Sequence, residues 1–268
     1  MGQKTLFIGA GNMGRAIIKG YLSAGGDALS ITIVDPTVSE LVQQELPGVG
    51  IYPTIEGLPS GVEFDFVVLA VKPQVFQSIS LGISKIVSKN STIISIMAGV
   101  DSTTIQTAIL DKISVIRCMP NMAASVGYSA NVAYTTDGTK RAAFEHLFGG
   151  AGPVTWVQEE AQIHLTTAVS GSGPAYFFAF TEALAAAGAR EGLDAQLALD
   201  LAIDTLIGAG ELLKQTRDPC SLRQSVTSKG GTTAAALDAF AFNGNLNAIV
   251  DDAVSAAVAR SKELAAMS

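Results

Sequence analysis

The stretch Lys4–Leu22, KTLFIGAGNMGRAIIKGYL, places a short apolar run, a glycine-rich turn and an amphipathic helical pattern in direct succession. Its glycines Gly9, Gly11 and Gly14 have the GxGxxG spacing. In a strand–turn–helix unit the first glycine makes the tight turn, the second lets a pyrophosphate approach the main chain, and the third permits close packing of the helix. The stretch therefore predicts a dinucleotide-binding turn at the start of a doubly wound sheet.

An acidic residue supports this interpretation. The next apolar run, SITIVD, ends at Asp35, which lies 21 residues beyond Gly14 (35 − 14 = 21). A carboxylate at that distance accepts hydrogen bonds from an adenosine ribose, while the main chain at Asn12 and Met13 faces the phosphates. Because a carboxylate repels a 2′-phosphate and the segment DPTVSE contains no basic residue, the residues themselves predict NADH rather than NADPH.

A second loop is expected at the same edge of the sheet. The segment AVKPQ follows the run FDFVVLAV and contains Ala70, Val71, Lys72 and Pro73. The carboxyl end of a strand near the topological switch is where the sugar and the nicotinamide of a dinucleotide pass. Lys72 is either a catalytic cation there or a solvated turn residue.

The fold class follows from the order of the patterns. Near-continuous apolar runs (STIISIMA, KISVIRCM and PVTWVQE follow those already quoted) are typical of parallel strands that helices cover on both faces. From about Glu160 onward the pattern is helical, with Pro174 near one helix start and Asp194 as an N-cap. We expect an α/β chain, with an N-terminal Rossmann domain over residues 1–160 and an all-helical dimerisation and substrate domain over residues 161–268.

The composition excludes several classes of function. Charged residues make up 15% of the chain, the formal net charge is −7, and the cations form no basic stripe, so a nucleic-acid partner is not expected. Cys118 and Cys220 are isolated, which predicts neither a metal site nor a disulfide framework. No signal peptide or membrane-spanning run is recognised. These patterns predict a soluble cytoplasmic homo-oligomer, since an apolar stripe on the last helix needs a covering partner.

Two segments of the helical half combine glycines with hydroxyl side chains. In SGSGPAY, Pro174 is expected to start a helix whose free N–H groups bind an anion near Ser170 and Ser172, or the segment is a simple helix cap. In TSKGGTT, residues 227–233, a second helix start is predicted. Its main-chain amides are expected to converge on a carboxylate, which predicts a small anionic substrate.

Other polar or flexible side chains are expected to have structural or surface roles. His146 and His164 are expected on the surface or at helix ends, and Arg117 at a solvated strand end or on a phosphate. Three methionines near strand ends, Met97, Met119 and Met122, are expected to fill the core rather than to form a flexible pocket lining.

Five segments in order, GAGNMG, AVKPQ, RCMPN, SGSGPAY and SLRQSVTSKGGTTAAALDAF, resemble pyrroline-5-carboxylate reductases over essentially the whole chain. The resemblance implies reduction of 1-pyrroline-5-carboxylate to proline with NADPH or NADH, in a homodimer or a higher oligomer of dimers. It implies that Thr233 lies near the imine nitrogen and is the catalytic residue. It also implies that the segment Ser228, Lys229, Gly230, Gly231 and Thr232 binds the substrate carboxylate by main-chain amides, with the Lys229 side chain either reaching the substrate or solvated. Ser172 is expected to contact the substrate from the pattern of SGSGPAY alone.

The sequence departs from the family at Met122, Ala123 and Tyr128, where members commonly have MPNTP followed by VGEG. Two alternatives stay open. A β-hydroxyacid dehydrogenase has a similar architecture, but it needs a lysine on the helix PAYFFAFTEALAAAGAR, which has none. A non-catalytic dinucleotide sensor would bind the cofactor without oxidising it.

Overall fold

The structure is a computed structural model that describes residues 3–37, 40–242 and 245–266. Within these ranges the strands are β1 (Thr5–Ile8), β2 (Ile31–Val34), β3 (Gly50–Tyr52), β4 (Phe66–Leu69), β5 (Thr92–Ser95), β6 (Ser114–Met119), β7 (Asn131–Tyr134) and β8 (Val154–Trp156). The α-helices are α1 (Asn12–Ser23), α2 (Glu40–Glu45), α3 (Pro73–Ser84), α4 (Ser102–Ile109), α5 (Arg141–Phe148), α6 (Gln162–Thr166), α7 (Gly173–Arg190), α8 (Ala195–Thr216), α9 (Pro219–Ser225), α10 (Thr232–Ala241) and α11 (Asn245–Ala266).

The strands form one sheet in the order β3-β2-β1-β4-β5-β6-β7-β8. All neighbouring strands are parallel except β6 and β7, which are antiparallel. The chain leaves β1 toward β2 and β3, then returns to the other side of β1 with β4, so the topological switch lies between β1 and β4. Ligands bind outside the carboxyl ends of strands at such a point.

The central strands are apolar because both faces of the sheet are covered. Along β1, Leu6 and Ile8 belong to one buried cluster and Phe7 to the other. Ile17 and Ile18 of α1 pack with Phe7, whereas Phe76 of α3 packs with Leu6. A parallel strand between two helical layers has no solvent face, which explains the continuous runs.

The predicted fold class is confirmed, but two strands were missed. β3 is only three residues long and sits at the sheet edge. β7 was hidden in the segment after β6 and is the only strand in the described sheet that pairs antiparallel with its predecessor. Neither has the long apolar run that identified the other strands.

The described residues of Met1–Ser172 and Ala257–Ser268 form one compact unit, and those of Gly173–Ala256 form a second. In the second unit, α7 packs on α8 through small side chains: Ala185, Ala198 and Ala202 are buried, and a Cβ added to Gly188 would meet Leu193 at 3.3 Å. Asp194 caps α8, as predicted, by accepting from the N–H groups of Gln196 and Leu197. Large apolar side chains of this unit are exposed, including Phe177, Ile207, Phe242 and Ile249.

The segment SGSGPAY does not begin a helix in the way we expected. α7 begins at Gly173, with Pro174 in its first turn, but a π-helical turn, Thr167–Gly171, directly precedes it. The N–H of Ser172 donates to the carbonyl of Thr167 at 2.8 Å. The predicted free helix start near Ser170 and Ser172 is therefore wrong, because the preceding turn already uses that amide.

Candidate active site

The glycine-rich turn has the three environments that a dinucleotide requires. Gly9 has φ +99, and a Cβ there would lie 2.6 Å from the carbonyl oxygen of Ala70 at the end of β4. A Cβ on Gly14 would lie 2.8 Å from the carbonyl oxygen of Gly9, so α1 can approach β1 only without a side chain at this position. A Cβ on Gly11 would meet nothing within 4 Å. The space above Gly11, next to the first amides of α1, fits a pyrophosphate.

Asp35 follows β2 and is bound to this turn. Its Oδ2 accepts from the N–H of Ala10 at 2.7 Å, and its Oδ1 accepts from the N–H and the hydroxyl of Thr37 at 2.8 and 2.7 Å. Burial raises the pKa of the Asp35 carboxyl, but the bonds from Ala10 and Thr37 and the charge of Arg15 outweigh this effect and leave the pKa below its ordinary value. Asp35 is thus a fixed anion at the mouth of the crevice.

A crevice of about 840 Å³ runs from the glycine turn over the ends of β1, β2 and β4. Its lining includes Gly9, Gly11, Asp35, Ala70 and Lys72. A smaller crevice of about 370 Å³ adjoins the same turn on the β4–β6 side. It is lined by Gly11, Asn12, Met13, Ala70, Val71, Lys72, Pro73, Ile96, Met97, Ala98, Met119 and Pro120. Of the ten residues predicted to bind a cofactor, nine line one or both of these crevices of the first compact unit, and Gly14 packs beneath the turn that they share.

The methionines differ from one another. Met97 is buried, as expected of a core residue. Met119 is half-buried and lines the smaller crevice. Met122 has 60% of its surface exposed, so core filling was wrong for this residue. It lies in a 3₁₀ turn, Met122–Val126, which the residues alone did not predict.

Arg117 corrects another expectation. It lies on β6 with 3% of its side chain exposed, and its Nη1 is 3.1 Å from Oε1 of Glu160. It is therefore neither at a solvated strand end nor free for a phosphate, because a buried guanidinium needs a partner carboxylate. His146 is exposed and His164 lies in the last turn of α6, so both are where they were expected. His164 is half-buried, and its Nδ1 lies 2.9 Å from Oγ of Ser261.

The segment TSKGGTT lies in the second compact unit and begins α10 as predicted. The N–H of Gly231 donates to the carbonyl of Ser228 at 3.0 Å, which closes a turn, and Gly230 has φ +73. A Cβ on Gly231 would clash with Oγ of Ser228. Gly231 occupies the N-cap, where it has no side chain to satisfy the first-turn amides of Thr232 and Thr233. Those amides, together with the nearby hydroxyls, can bind a carboxylate.

One buried polar residue, Asn121, was named from the sequence only as part of a motif. Asn121, in RCMPN, is buried, and its Nδ2 donates to the carbonyl of Ser170 at 2.9 Å. This hydrogen bond connects the segment after β6, which begins with Pro120 and Asn121, to the π-helical turn. A buried asparagine has no periodic signal in a sequence, and only its position after a strand and a proline could have drawn attention to it.

The fold and the crevices define a Rossmann-type dinucleotide-binding protein with an additional helical unit. Residues 160–264 match the family model described as pyrroline-5-carboxylate reductase dimerisation, and residues 4–99 match one described as NADP oxidoreductase, coenzyme F420-dependent. The chain is 36% identical to the pyrroline-5-carboxylate reductase of Pseudomonas aeruginosa, over 98% of this chain and 97% of that one. The enzyme of Vibrio alginolyticus is also 36% identical, over 98% and 97%. The chain belongs to the pyrroline-5-carboxylate reductase family.

Solved structures agree with this assignment. A pyrroline-5-carboxylate reductase from Coxiella burnetii superposes with a TM-score of 0.90 at 33% identity, over 98% of this chain and 99% of that one. The Plasmodium falciparum pyrroline carboxylate reductase, solved with NADP bound, gives a TM-score of 0.82 at 26% identity, over 98% of both chains. Among the described residues, none of the helices combines the length and the apolar character needed to cross a membrane.

Proposed function

We propose that this chain reduces 1-pyrroline-5-carboxylate to L-proline and that it binds the two reactants with main-chain amides of two different helix starts. Membership of the pyrroline-5-carboxylate reductase family carries the proposal. The nicotinamide cofactor, NADH or NADPH, supplies a hydride to the carbon of the C=N bond when it is bound. The residues of the chain supply binding, orientation and a hydrogen bond to nitrogen.

The cofactor site is assigned to the two crevices of the first compact unit. Gly11 provides open space beside the free amides of α1, and Gly9 and Gly14 bring the turn close to β4. Asp35 is assigned to the adenosine ribose, while Val71, Lys72 and Pro73 line the smaller crevice, where the nicotinamide is assigned. The fit is chemical as well as steric, since the amides attract phosphate and the apolar lining suits a ring.

NADH is the cofactor that these residues favour. The carboxylate of Asp35 is held by three hydrogen bonds and has a lowered pKa, so it carries a full negative charge near neutral pH. A 2′-phosphate beside it would be repelled. Because Ala10 and Thr37 fix the carboxylate, it cannot rotate away to relieve the repulsion.

Substrate binding is assigned to the loop that starts α10. The first-turn amides, the positive end of the helix dipole and Lys229 attract the carboxylate of the substrate. Ser228, Gly230, Gly231 and Thr232 shape the loop around that carboxylate, and Ser172 is assigned to the same substrate. A bound carboxylate orients the ring, which converts an encounter into a positioned reaction.

Thr233 is assigned to the imine nitrogen, directly or through a water molecule. Reduction of the C=N bond leaves the nitrogen basic, so a hydroxyl that accepts from the protonated imine or donates to the amine product stabilises the change. No side chain of stronger acidity is needed, because a protonated imine is already electrophilic. Neither His146 nor His164 lines a cofactor crevice.

The first experiment follows oxidation of NADH and of NADPH by absorbance, with 1-pyrroline-5-carboxylate as substrate. Turnover with formation of proline is expected, with the higher kcat/KM for NADH. Cofactor binding without any oxidation would instead identify a non-catalytic sensor and end the proposal.

A second experiment tests Thr233 by comparing Thr233→Val with Thr233→Ser. The valine variant removes the hydroxyl at nearly constant volume and is expected to lower kcat about 10²-fold, as does the loss of one transition-state donor elsewhere. The serine variant retains the hydroxyl and should keep most of the turnover. Both should bind NADH with unchanged Kd, and a weakened Kd in the valine variant would contradict the assignment.

A third experiment tests the cofactor preference. Asp35→Asn removes the charge at nearly constant volume and keeps one acceptor oxygen, which can serve the two bonds from Thr37 while the bond from Ala10 is lost. We expect the ratio of kcat/KM for NADH to that for NADPH to fall by about tenfold. Glu63→Gln makes the same charge change on an exposed side chain outside the lining of both cofactor crevices and serves as the control. An equal change of this ratio in both variants would show that Asp35 does not determine the cofactor preference.

Assembly and location belong to the same proposal. The match to a dimerisation model and the exposed apolar side chains of α7, α8 and α11 support a homodimer or an oligomer of dimers. The two cysteines are both free, one buried and one exposed, which suits a reducing cytoplasm. We propose no nucleic-acid partner, because the net charge is −7.

A further inference from the structure

The helical segment around Ser170 cannot complete the regular α-helical hydrogen-bond pattern, because of a proline in its sequence. In an α-helix the carbonyl of residue 170 accepts from the N–H of residue 174, but Pro174 has no N–H. The proline ring also clashes with the carbonyl four residues before it. The segment therefore needs both a local change of helix geometry and a new donor for the carbonyl of Ser170.

The change of geometry is the π-helical turn Thr167–Gly171. The N–H of Ser172 donates to the carbonyl of Thr167, five residues earlier, at 2.8 Å. Widening a helical turn shifts its carbonyls relative to the residues that follow, which is one way to relieve such a clash. Single π-turns occur frequently at functional sites, because they cost stability and are retained where they direct a group.

The new donor is Asn121. The residue is 8% exposed, and its Nδ2 donates to the Ser170 carbonyl at 2.9 Å. Its Oδ1 accepts from the N–H of Ala123 at 3.0 Å, and its own N–H donates to Oγ of Ser129 at 2.9 Å. With both ends of the amide engaged, Asn121 holds the Ser170 carbonyl in one place.

The same contact joins the turn to the smaller crevice. Met119 and Pro120, which immediately precede Asn121, line that crevice. A Cβ on Gly171 would lie 3.7 Å from Cγ of Met119, so the π-turn packs against the crevice wall without a side chain between them. Two contacts therefore join the π-turn to the residues of this crevice wall, the hydrogen bond from Asn121 and the close packing of Gly171 on Met119.

We propose that Asn121 is a positioning residue for imine reduction: it fixes the π-helical turn that Pro174 makes necessary, and through this turn it places Ser172 relative to the nicotinamide side of the crevice. This inference rests on the proposed function, which assigns Ser172 to the substrate. It concerns the placement of groups, since Asn121 itself contacts main chain rather than reactants.

The test compares Asn121→Asp and Asn121→Ser with the unaltered protein. Both variants retain an oxygen that can accept from Ala123. The aspartate carboxylate has no donor for the Ser170 carbonyl, and the serine hydroxyl is one bond too short to reach it. The expected result is a fall of kcat/KM for 1-pyrroline-5-carboxylate of about 10²-fold, typical of a misplaced reactant, with the Kd for NADH within about twofold. Turnover within about twofold of the unaltered protein in both variants would overturn the inference.

Asn131 provides a matched control. It is also buried, and its Nδ2 donates to a main-chain carbonyl, that of Gly152, at the same distance of 2.9 Å. Asn131→Asp removes an equivalent hydrogen bond away from the residues that line the crevices. It should lower the thermal midpoint and leave kcat/KM unchanged. An equal loss of kcat/KM in the Asn131 and Asn121 variants would reduce the role of Asn121 to general stability.

The double variant Asn121→Asp, Pro174→Ala distinguishes an effect on the placement of Ser172 from an effect on the stability of the protein. It does so even if the single variants unfold. The substituted alanine supplies the N–H that the Ser170 carbonyl lacks, so we expect the thermal midpoint to recover while turnover stays low. Recovery of turnover together with stability would show that Asn121 is merely structural. An unaltered protein without any turnover would instead contradict the proposed function, which distinguishes the two failures.

Discussion

The Nη1 of Arg117 lies 3.1 Å from Oε1 of Glu160, and the same carboxylate oxygen accepts from the N–H and the hydroxyl of Ser102 at 2.7 and 3.0 Å. One oxygen therefore joins β6 to the start of α4. Arg117 is buried and Glu160 partly so, and loss of the carboxylate leaves the buried guanidinium without a counter-charge. Glu160→Gln is therefore expected to lower the free energy of unfolding by about 3 kcal/mol, measured by urea denaturation. Glu263→Gln, which breaks the exposed pair with Arg260, should cost below about 1 kcal/mol. Equal costs for the two variants would contradict this.

Two glycines of the same turn should respond oppositely to alanine. Gly9→Ala forces a side chain onto φ +99 and against the Ala70 carbonyl, so a loss of more than about 2 kcal/mol of stability is expected. Gly11→Ala meets no protein atom within 4 Å and should fold normally, but its methyl group occupies the space assigned to the pyrophosphate. Thermal unfolding and NADH titration measure the two effects. Unchanged cofactor affinity of the Gly11→Ala protein would show that the pyrophosphate binds somewhere else.

His164 should make stability depend on pH. Burial and the charges of Arg117 and Lys262 lower its pKa below the ordinary 6.5, against the opposing attraction of Glu160. At a pH between the lowered pKa of the folded chain and the ordinary pKa of the unfolded chain, the unfolded chain binds more protons than the folded one. Stability is therefore lost as the pH falls below the pKa of the free imidazole. We expect a lower urea midpoint at about pH 5.5 than at about pH 7.5, and a smaller difference in His164→Gln. The same pH dependence in both proteins would assign it to other groups.

The exposed apolar side chains of α11 should control assembly. Ile249 is 66% exposed in the single chain, and Ile249→Lys is expected to shift the mass measured by light scattering toward the monomer. Leu29 is 84% exposed in the 3₁₀ turn Ala28–Ser30 of the first compact unit, so Leu29→Lys is the matched control and should leave the mass unchanged. An effect of Leu29→Lys alone would place the interface on the other unit.

The parts of the fold that the sequence predicted are those with strong local causes. The turn at Gly9 needs a positive φ and close approach of the main chain, which only glycine permits, and Asp194 has the chemistry of a helix cap. Central strands are apolar on both faces, so they were recognisable as runs. The edge strand β3 and the antiparallel β7 have no such requirement and were missed.

Partners distant in sequence explain the remaining errors. Arg117 looked like a strand-end cation because its partner, Glu160, is 43 residues away. The hydrogen bond from Asn121 goes to Ser170, 49 residues away, and the role that we propose for it depends on a proline that deprives the Ser170 carbonyl of its helical donor. Local patterns report the conformation of a segment, whereas burial and pairing of polar groups are properties of the folded chain.

Helix α11 begins in the second compact unit, but its residues from Ala257 onward belong to the first, where a Cβ on Gly99 would lie 3.1 Å from the N atom of Ala265. On the ribosome these residues emerge after all of Gly173–Ala256 has been translated, several seconds later at the usual rate of ~5–20 residues per second. The nucleotide-binding half consequently reaches its final packing only after the helical half has been synthesised, although its glycine turn leaves the exit tunnel long before.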